Sequence, residues 1–226
     1  DADLEDLDFE DENIYKMLGL NTFKTEDQNS RPTDKITPLL TQFRSVEPVG
    51  QLFSEFSYHK LLNHGRDFGR NPKKMLPKDF IEKLSHPICF VDFPLERENS
   101  VLMPKKLLLS SYHVYAAILV SELIKHLDKC NMESIKYSIG VISPYKAQSL
   151  LMNKLISASG ISENITIHCN TVHGFQGDEC DIAIFVVNPN NFYHSGHPKA
   201  LLSKEYIYNV AISRAKDYLW ILNPIS

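Results

Sequence analysis

The chain has 226 residues, of which 43% are hydrophobic and 23% are charged, and its formal net charge is −4 at pH 7. This composition is typical of a folded globular protein with a sizeable core. No apolar run reaches the roughly 18 to 20 residues that a membrane-spanning helix requires, and the acidic amino terminus is unlike a secretory signal. The sequence therefore predicts neither secretion nor a membrane partner.

The amino-terminal segment is acidic. Residues 1–12 contain eight acids and no Lys or Arg, so residues 13–226 carry a net charge of +4. Residues 20–38 are rich in Asn, Thr, Asp, Ser and Pro, a pattern typical of a linker. We predict a solvated acidic head and linker over residues 1–38 and a folded domain over residues 39–226. Because the first residue is Asp rather than Met, we expect a fragment or a processed product.

Strands and helices alternate along the rest of the chain. Short apolar segments rich in β-branched residues predict buried strands at Ile88–Phe93, Ser138–Ser143, Ile165–Cys169, Asp181–Val187 and Tyr218–Leu222. Segments with helical periodicity lie at Val46–His59, Tyr112–Lys129, Lys146–Ser159 and Lys204–Lys216. This order predicts an α/β fold with a mostly parallel sheet and helices on both faces.

Residues 63–78 look like an irregular insertion and are rich in basic side chains. These are Arg66, Arg70, Lys73, Lys74 and Lys78. Such a cluster can bind a phosphate backbone; charge alone favours a solvated loop, and both interpretations stay open. The four cysteines form no C-x-x-C pair, which predicts neither a disulfide framework nor a metal site. A reducing cytoplasm, or a nucleus if the source is eukaryotic, fits this pattern best.

Three polar blocks lie at the ends of predicted elements, where ligands of α/β proteins commonly bind. They are Ile142–Gln148, Thr171–Glu179 and Asn209–Lys216. Each has a purely structural interpretation, because Pro144 suits a first helical turn, Gly174 and Gly177 suit turns, and Arg214 suits a surface. Their joint order and spacing favour a functional interpretation.

Together with an earlier block, these segments resemble the second RecA-like domain of superfamily 1 helicases, in the branch of Upf1, Dna2 and senataxin. Thr41–Arg44 is similar to the start of the Q-Y-R-M-H-P block, and Ser143–Gln148 is similar to T-P-Y-x-x-Q. Thr171–Glu179 is similar to T-V-D-x-F-Q-G-x-E, and Asn209–Lys216 is similar to N-V-A-x-T-R-A-K. The resemblance spans about residues 39–223. It implies a RecA-like, three-layer sandwich of the P-loop NTPase type.

The chain lacks its own P-loop, since no G-x-x-x-x-G-K-[ST] motif occurs in it. The segment Gly19–Thr25 lacks the second glycine, and Ile88–Asp92 is followed by Phe93 where such helicases carry Glu. We interpret the latter as a core strand. The resemblance thus implies that ATP and Mg²⁺ are bound mainly by an N-terminal RecA-like lobe of the same polypeptide, absent from this chain.

The resemblance also implies roles for individual residues. Arg44 and Arg214 match the arginines that reach ATP across the cleft between the lobes, and guanidinium groups suit phosphate oxygens. Nucleotide-contacting positions match Gln42, Phe43, Gln176, Gly177 and Glu179. Gln176 is expected to link the nucleotide to the nucleic acid.

Positions that touch single-stranded DNA or RNA in the family match Ser143, Tyr145 and Thr171. Phe43 stands in place of the usual Tyr, and His173 stands in place of an Asp whose role therefore does not transfer. The leading hypothesis is the second motor lobe of a helicase, inactive when isolated. The alternative is a stand-alone nucleic-acid-binding or protein-docking module, which the retention of both arginines argues against.

Overall fold

The computed structural model describes residues 39–95, 101–108, 110–187 and 205–225. The predicted acidic head and linker lie outside the described residues. By its internal contacts the chain divides into two units, residues 1–40 and Thr41–Ser226. Apart from Leu39 and Leu40, everything described below belongs to the second unit.

Nine strands lie within the described residues. They are β1 Thr41–Gln42, β2 Asn63–His64, β3 Ile88–Pro94, β4 Lys105–Leu107, β5 Ser110–Tyr112, β6 Tyr137–Ser143, β7 Ile165–Thr171, β8 Cys180–Val186 and β9 Ala215–Ile225. Strands β3, β9, β8, β6 and β7 form, in that order, a sheet in which every described pairing is parallel. Strands β1 and β2 form a short parallel pair, and β4 and β5 form a hairpin. The five predicted strands therefore agree with the central sheet.

Four helices of the described chain flank this sheet. They are α1 Glu47–Ser57, α2 Val114–Cys130, α3 Lys146–Ser157 and α4 Glu205–Ile212. The predicted last helix was four residues too long, because Cys180 N donates a hydrogen bond to Arg214 O and Ala215 already pairs with Cys180 in the sheet. Strand pairing thus overrides a helical pattern in the sequence. Arg214 lies in the turn between α4 and β9.

The helices cover both faces of the sheet. One core cluster joins α2 and α3 to the sheet and includes Ile124, Met152 and Trp220. The other joins α1 and α4 to the opposite face and includes Phe53 and Ala211. Every residue of β8 is buried, as expected for a central parallel strand. The α/β, RecA-like, three-layer fold is confirmed.

Parallel strands give the sheet two different edges. We call the edge where the strands begin the amino edge and the edge where they end the carboxyl edge. Cys180 and Ala215 begin neighbouring strands at the amino edge, and Ser143 and Thr171 end neighbouring strands at the carboxyl edge. Among the helices that the structure describes, none is long and apolar enough to cross a membrane.

Candidate functional site

Two arginines from distant blocks meet at the amino edge. Arg44 Nη1 donates to Ser213 O at 3.0 Å, and Arg214 Nη2 donates to Ser213 Oγ at 2.9 Å. Arg44 follows β1, whereas Arg214 follows α4, so their meeting is a product of the fold. The structure therefore brings together the two arginines that the sequence singled out.

Backbone carbonyls hold Arg214 in place. Its Nε donates to Val210 O at 2.9 Å and its Nη1 donates to Asp178 O at 3.1 Å. Nη1 and Nη2 each carry two N–H groups. Nη1 uses one toward Asp178 O and Nη2 uses one toward Ser213 Oγ, which leaves a second N–H on each nitrogen. Burial and, next, the charge of Arg44 lower the pKa of Arg214 below its ordinary value. The arginine pair is thus a concentrated positive charge.

Glu179 is a carboxylate in direct contact with this arginine pair. Its Oε2 accepts from Arg44 Nε at 3.0 Å, and its Oε1 lies 3.5 Å from Lys216 Nζ. One carboxylate is therefore shared by two cations, with Arg214 close by. An excess of positive charge at partly exposed side chains favours an anionic ligand.

Arg44 and Lys216 line an open cleft of about 500 Å³, whereas Arg214 is not one of its lining residues. Its lining residues are Phe43, Arg44, Arg66, Lys73, Lys74, Glu179, Asp181, Lys216 and Asp217. The side chain of Phe43 is 69% exposed, and a Cβ on Gly65 would lie 2.5 Å from the ring of Phe43. The ring therefore packs against the backbone at Gly65, and Phe43 is otherwise largely exposed at this cleft.

Buried ion pairs form the floor of the cleft. Asp217 Oδ1 lies 2.5 Å from Arg66 Nη2 and also accepts from Lys73 N, while Asp217 Oδ2 accepts from Lys74 N. Asp181 Oδ2 accepts from Lys74 Nζ at 2.6 Å. Neither the solvated-loop nor the phosphate-binding interpretation of the basic insertion describes Arg66 and Lys74, because buried carboxylates neutralise both.

Gln42 organises the loop that carries Arg44. Its Oε1 accepts from the backbone N–H groups of Arg44 and Ser45 at 3.0 and 2.9 Å. Its Nε2 donates to Ser45 O and contacts His64 Nδ1, both at 3.0 Å. The amide is therefore committed within the protein, and its predicted nucleotide contact stays a prediction.

The loop between β7 and β8 runs from the carboxyl edge to the amino edge. Gln176 and Gly177 are exposed on it, and Gly177 has a φ of +99°, which strongly favours glycine. Phe175 is buried, and a Cβ on Gly140 would approach its ring to 2.6 Å. Close packing of Phe175 on Gly140 therefore fixes the loop against strand β6.

The predicted nucleic-acid residues lie at the carboxyl edge, in different environments. Ser143 is buried and its Oγ accepts from Tyr145 N at 3.1 Å, and Tyr145 itself is only 7% exposed. Thr171 is half-buried and its Oγ1 accepts from Gly174 N at 3.2 Å. The structure thus places Ser143 and Tyr145 beneath the surface and Thr171 nearer to it.

Sequence reasoning missed the residues that support this site. Gln148 Oε1 accepts from His113 N at 2.6 Å and joins α3 to the start of α2. Ser45 Oγ donates to Ala215 O at 2.6 Å and joins the Arg44 loop to β9. The position of Gln148 inside the block Ser143–Gln148 could have indicated that it is important. No pattern in the sequence indicates that Ser45 bonds to Ala215.

Comparison with known proteins identifies the family of this chain. The AAA domain family model matches residues 20–225. The chain belongs to the AAA domain family. The match includes both arginines, the shared carboxylate and the loop that joins the two edges of the sheet.

Individual relatives agree with this family. The chain is 36% identical over 117 residues to DNA polymerase alpha-associated DNA helicase A of Saccharomyces cerevisiae, a match that covers 51% of the chain and 16% of the relative. It is 38% identical over 116 residues to an uncharacterized ATP-dependent helicase of Methanocaldococcus jannaschii, covering 50% and 15%. It is 28% identical over 214 residues to the DNA replication ATP-dependent helicase/nuclease dna2 of Schizosaccharomyces pombe, covering 88% and 14%.

The resemblance to superfamily 1 helicases of the Upf1 and Dna2 branch is confirmed by these matches. The chain is a helicase-type domain. It spans between 14% and 16% of the length of the relatives it matches.

Proposed function

We propose that the chain is the second motor lobe of an ATP-dependent DNA or RNA helicase. In this proposal Arg44 and Arg214 contact ATP that an N-terminal lobe of the same polypeptide holds. The observation that carries the proposal is the meeting of the two guanidinium groups on Ser213 beside an open, positively charged cleft. Names of the relatives support it, since two of the three contain the words ATP-dependent helicase.

The residues of the cleft fit a nucleotide. Cations suit a polyphosphate, and the exposed ring of Phe43 suits the face of a base. Among the described residues no group of three His, Cys, Asp or Glu side chains is placed to hold a metal ion, so the proposal assigns Mg²⁺ to the N-terminal lobe. When bound, ATP supplies the phosphoryl transfer that drives the motor. Arg44 and Arg214 stabilise the negative charge that develops on it.

The proposal assigns the carboxyl edge to the single strand. Thr171 contacts a phosphate, while the buried Ser143 and Tyr145 shape the backbone that faces the strand. Gln176 and Gly177 lie on the segment that joins this edge to the arginines, which gives the two ligands a direct physical connection. The isolated chain is expected to bind single strands weakly and not to hydrolyse ATP.

Substitution of Arg214 in the full-length protein tests the proposal. Arg214→Ala should lower ATP turnover by about 10³-fold in a steady-state assay with saturating single strand, the scale of other arginine fingers. Arg214→Lys should restore little, because lysine lacks the planar fork. Arg70 is a matched control, since it is an exposed arginine 3.4 Å from Glu47, and Arg70→Ala should leave turnover unchanged.

Turnover within a fewfold of wild type for both Arg214 variants would overturn the motor assignment. It would favour the stand-alone nucleic-acid-binding or docking module instead. Robust ATP hydrolysis by the 226-residue chain alone would contradict the division of the site between two lobes.

A further inference from the structure

Lys216 is a cation at the cleft to which the matched helicase blocks assign no role. Its Nζ lies 3.5 Å from Glu179 Oε1 and 3.6 Å from Asp181 Oδ1. Charged hydrogen bonds are normally about 2.7 to 2.9 Å long, so both contacts are loose. The ammonium therefore stands between two carboxylates and is tightly bound to neither.

Lys74, in the same cleft, shows the opposite behaviour. Its Nζ donates to Asp181 Oδ2 and to Lys136 O, each at 2.6 Å. The two side chains are similarly exposed, 34% for Lys74 and 30% for Lys216. Lys74 is thus committed to the fold, whereas Lys216 keeps hydrogen-bonding capacity for a ligand.

Hydrogen bonds fix the main chain at Lys216. Its carbonyl oxygen accepts from Val46 N at 2.8 Å and also from Arg66 Nη1. Lys216 is the second residue of β9 and directly follows Ala215, which pairs with Cys180. A flexible side chain therefore projects from a fixed point near the arginine pair.

Asp181 sets the direction of that side chain. Its carboxylate is nearly buried and is fixed by Ser138, whose N and Oγ donate to Oδ2 at 2.7 and 2.8 Å. Burial opposes ionisation of Asp181, but the hydrogen bonds from Lys74 and Ser138 outweigh it and keep the pKa below its ordinary value. A carboxylate that is ionised at neutral pH and held in place by hydrogen bonds thus draws the ammonium toward the floor of the cleft.

Glu179 is the exposed carboxylate of the group. It serves both Arg44 and Lys216, so an incoming anion competes with it for two cations at once. We propose that Lys216 is a third phosphate-contacting cation of this cleft, which Glu179 and Asp181 hold ready and which a polyphosphate takes over from Glu179. The inference rests on the proposed function and adds a residue to it.

Titration of the 226-residue chain with inorganic tripolyphosphate at low salt tests this, with binding followed by NMR. Lys216→Ala should weaken binding about three- to tenfold, the scale of one partly exposed charged contact, and Lys216→Arg should stay within about twofold of wild type. Glu179→Gln should tighten binding about twofold or more, because the competing charge is gone. Lys154 on α3 is an exposed lysine that does not line this cleft, and Lys154→Ala should change nothing.

The outcomes separate this inference from the function on which it rests. If Arg214→Ala weakens tripolyphosphate binding while Lys216→Ala does not, or if Glu179→Gln weakens it, Lys216 is not a phosphate contact and the arginine proposal survives. If substitution of Arg44, Arg214 and Lys216 all leave binding unchanged, both proposals fall. Should Lys216→Ala unfold the chain, the wild-type Nζ signals decide: Lys216 should shift on titration and Lys74 should not.

Discussion

The two edges of the central sheet are built from different chemistry. At the amino edge, charged side chains meet at an open cleft, and a single exposed carboxylate, Glu179, serves both Arg44 and Lys216. At the carboxyl edge, the bonds that join Gln148 to His113 are neutral and buried. Charges held ready for a ligand need counter-ions that can be displaced, whereas a frame that only positions backbone is best made from neutral hydrogen bonds.

The loop between β7 and β8 joins these edges without an intervening α-helix. Its buried Phe175 packs on Gly140 in the middle of β6, and its exposed Gln176 and Gly177 follow at once. Phe175 thus anchors the loop at a point between the two edges. The different chemistry of the edges lets each be perturbed separately, and four variants exploit this.

The largest loss of stability is expected at the floor of the amino edge. Asp217→Asn removes the charge that faces the nearly buried Arg66, whose side chain is 10% exposed, and leaves that guanidinium uncompensated. Breaking a buried ion pair in this way costs about 3 to 5 kcal/mol of unfolding free energy, measurable by urea denaturation.

Asp92 offers the matched control for Asp217. It is exposed and accepts from Asn223 Nδ2 at 3.2 Å, so Asp92→Asn should change the unfolding free energy by less than about 0.5 kcal/mol. A loss below about 1 kcal/mol for Asp217→Asn would show that water solvates Arg66 as well as the carboxylate does.

Asp217 also illustrates what the sequence could not predict. The alternation of apolar strands and amphipathic helices predicted the five-stranded sheet and all four described helices, because periodicity is a local signal. The pairing of Arg66 with Asp217 joins residues 151 positions apart, and no local pattern encodes it. The same holds for the ion pair of Lys74 and Asp181.

Site prediction from the sequence had the same limit. The blocks identified Arg44, Arg214 and Glu179, and the fold brings these three together. Their roles toward a ligand remain predictions. Ser143 and Tyr145 are buried in the folded chain, and no local pattern in the sequence indicates this.

The second-largest loss of stability is expected where the loop between β7 and β8 packs on the sheet. Gly140→Ala places a Cβ 2.6 Å from Phe175 Cζ and 2.7 Å from Cys180 Sγ, so the ring must move. Overpacking of this kind costs about 2 to 3 kcal/mol in a urea unfolding experiment. Adding Phe175→Leu should recover part of the loss, because it removes the nearer ring atom. If the losses of unfolding free energy from Gly140→Ala and from Phe175→Leu simply add in the double variant, the ring of Phe175 is not what excludes a Cβ at Gly140.

Substitution of a neutral, buried hydrogen-bonding residue at the carboxyl edge should cost less stability than the two changes above. Gln148→Leu leaves the buried N–H of His113 without its 2.6 Å acceptor and should cost about 1 to 2 kcal/mol of unfolding free energy. Gln51 is an exposed glutamine whose bond from Nε2 to Glu47 is 2.9 Å long, and Gln51→Leu should cost less than about 0.5 kcal/mol. Equal losses for the two variants would mean that burial does not distinguish them.

Acid should separate the two edges by the pH at which each loses stability. Burial lowers the pKa of His113 below its ordinary value of 6.5, against the weaker opposing effect of its hydrogen bond to Leu102 O, and the neutral ring also accepts from Ala116 N. The unfolded chain therefore binds this proton more readily, so the stability due to His113 is complete above about pH 6.5 and is lost as pH falls through the lower, folded pKa. Asp181 at the amino edge has a pKa below its ordinary value of 3.8, so its contribution persists until pH falls below that value.

Urea unfolding between pH 7 and pH 3 should show two successive declines, each no steeper than about 1.4 kcal/mol per pH unit for one proton. His113→Gln should abolish the upper decline and leave the lower one. If the upper decline persists in that variant, protonation of His113 is not its cause, and the carboxyl edge is as insensitive to mild acid as the amino edge.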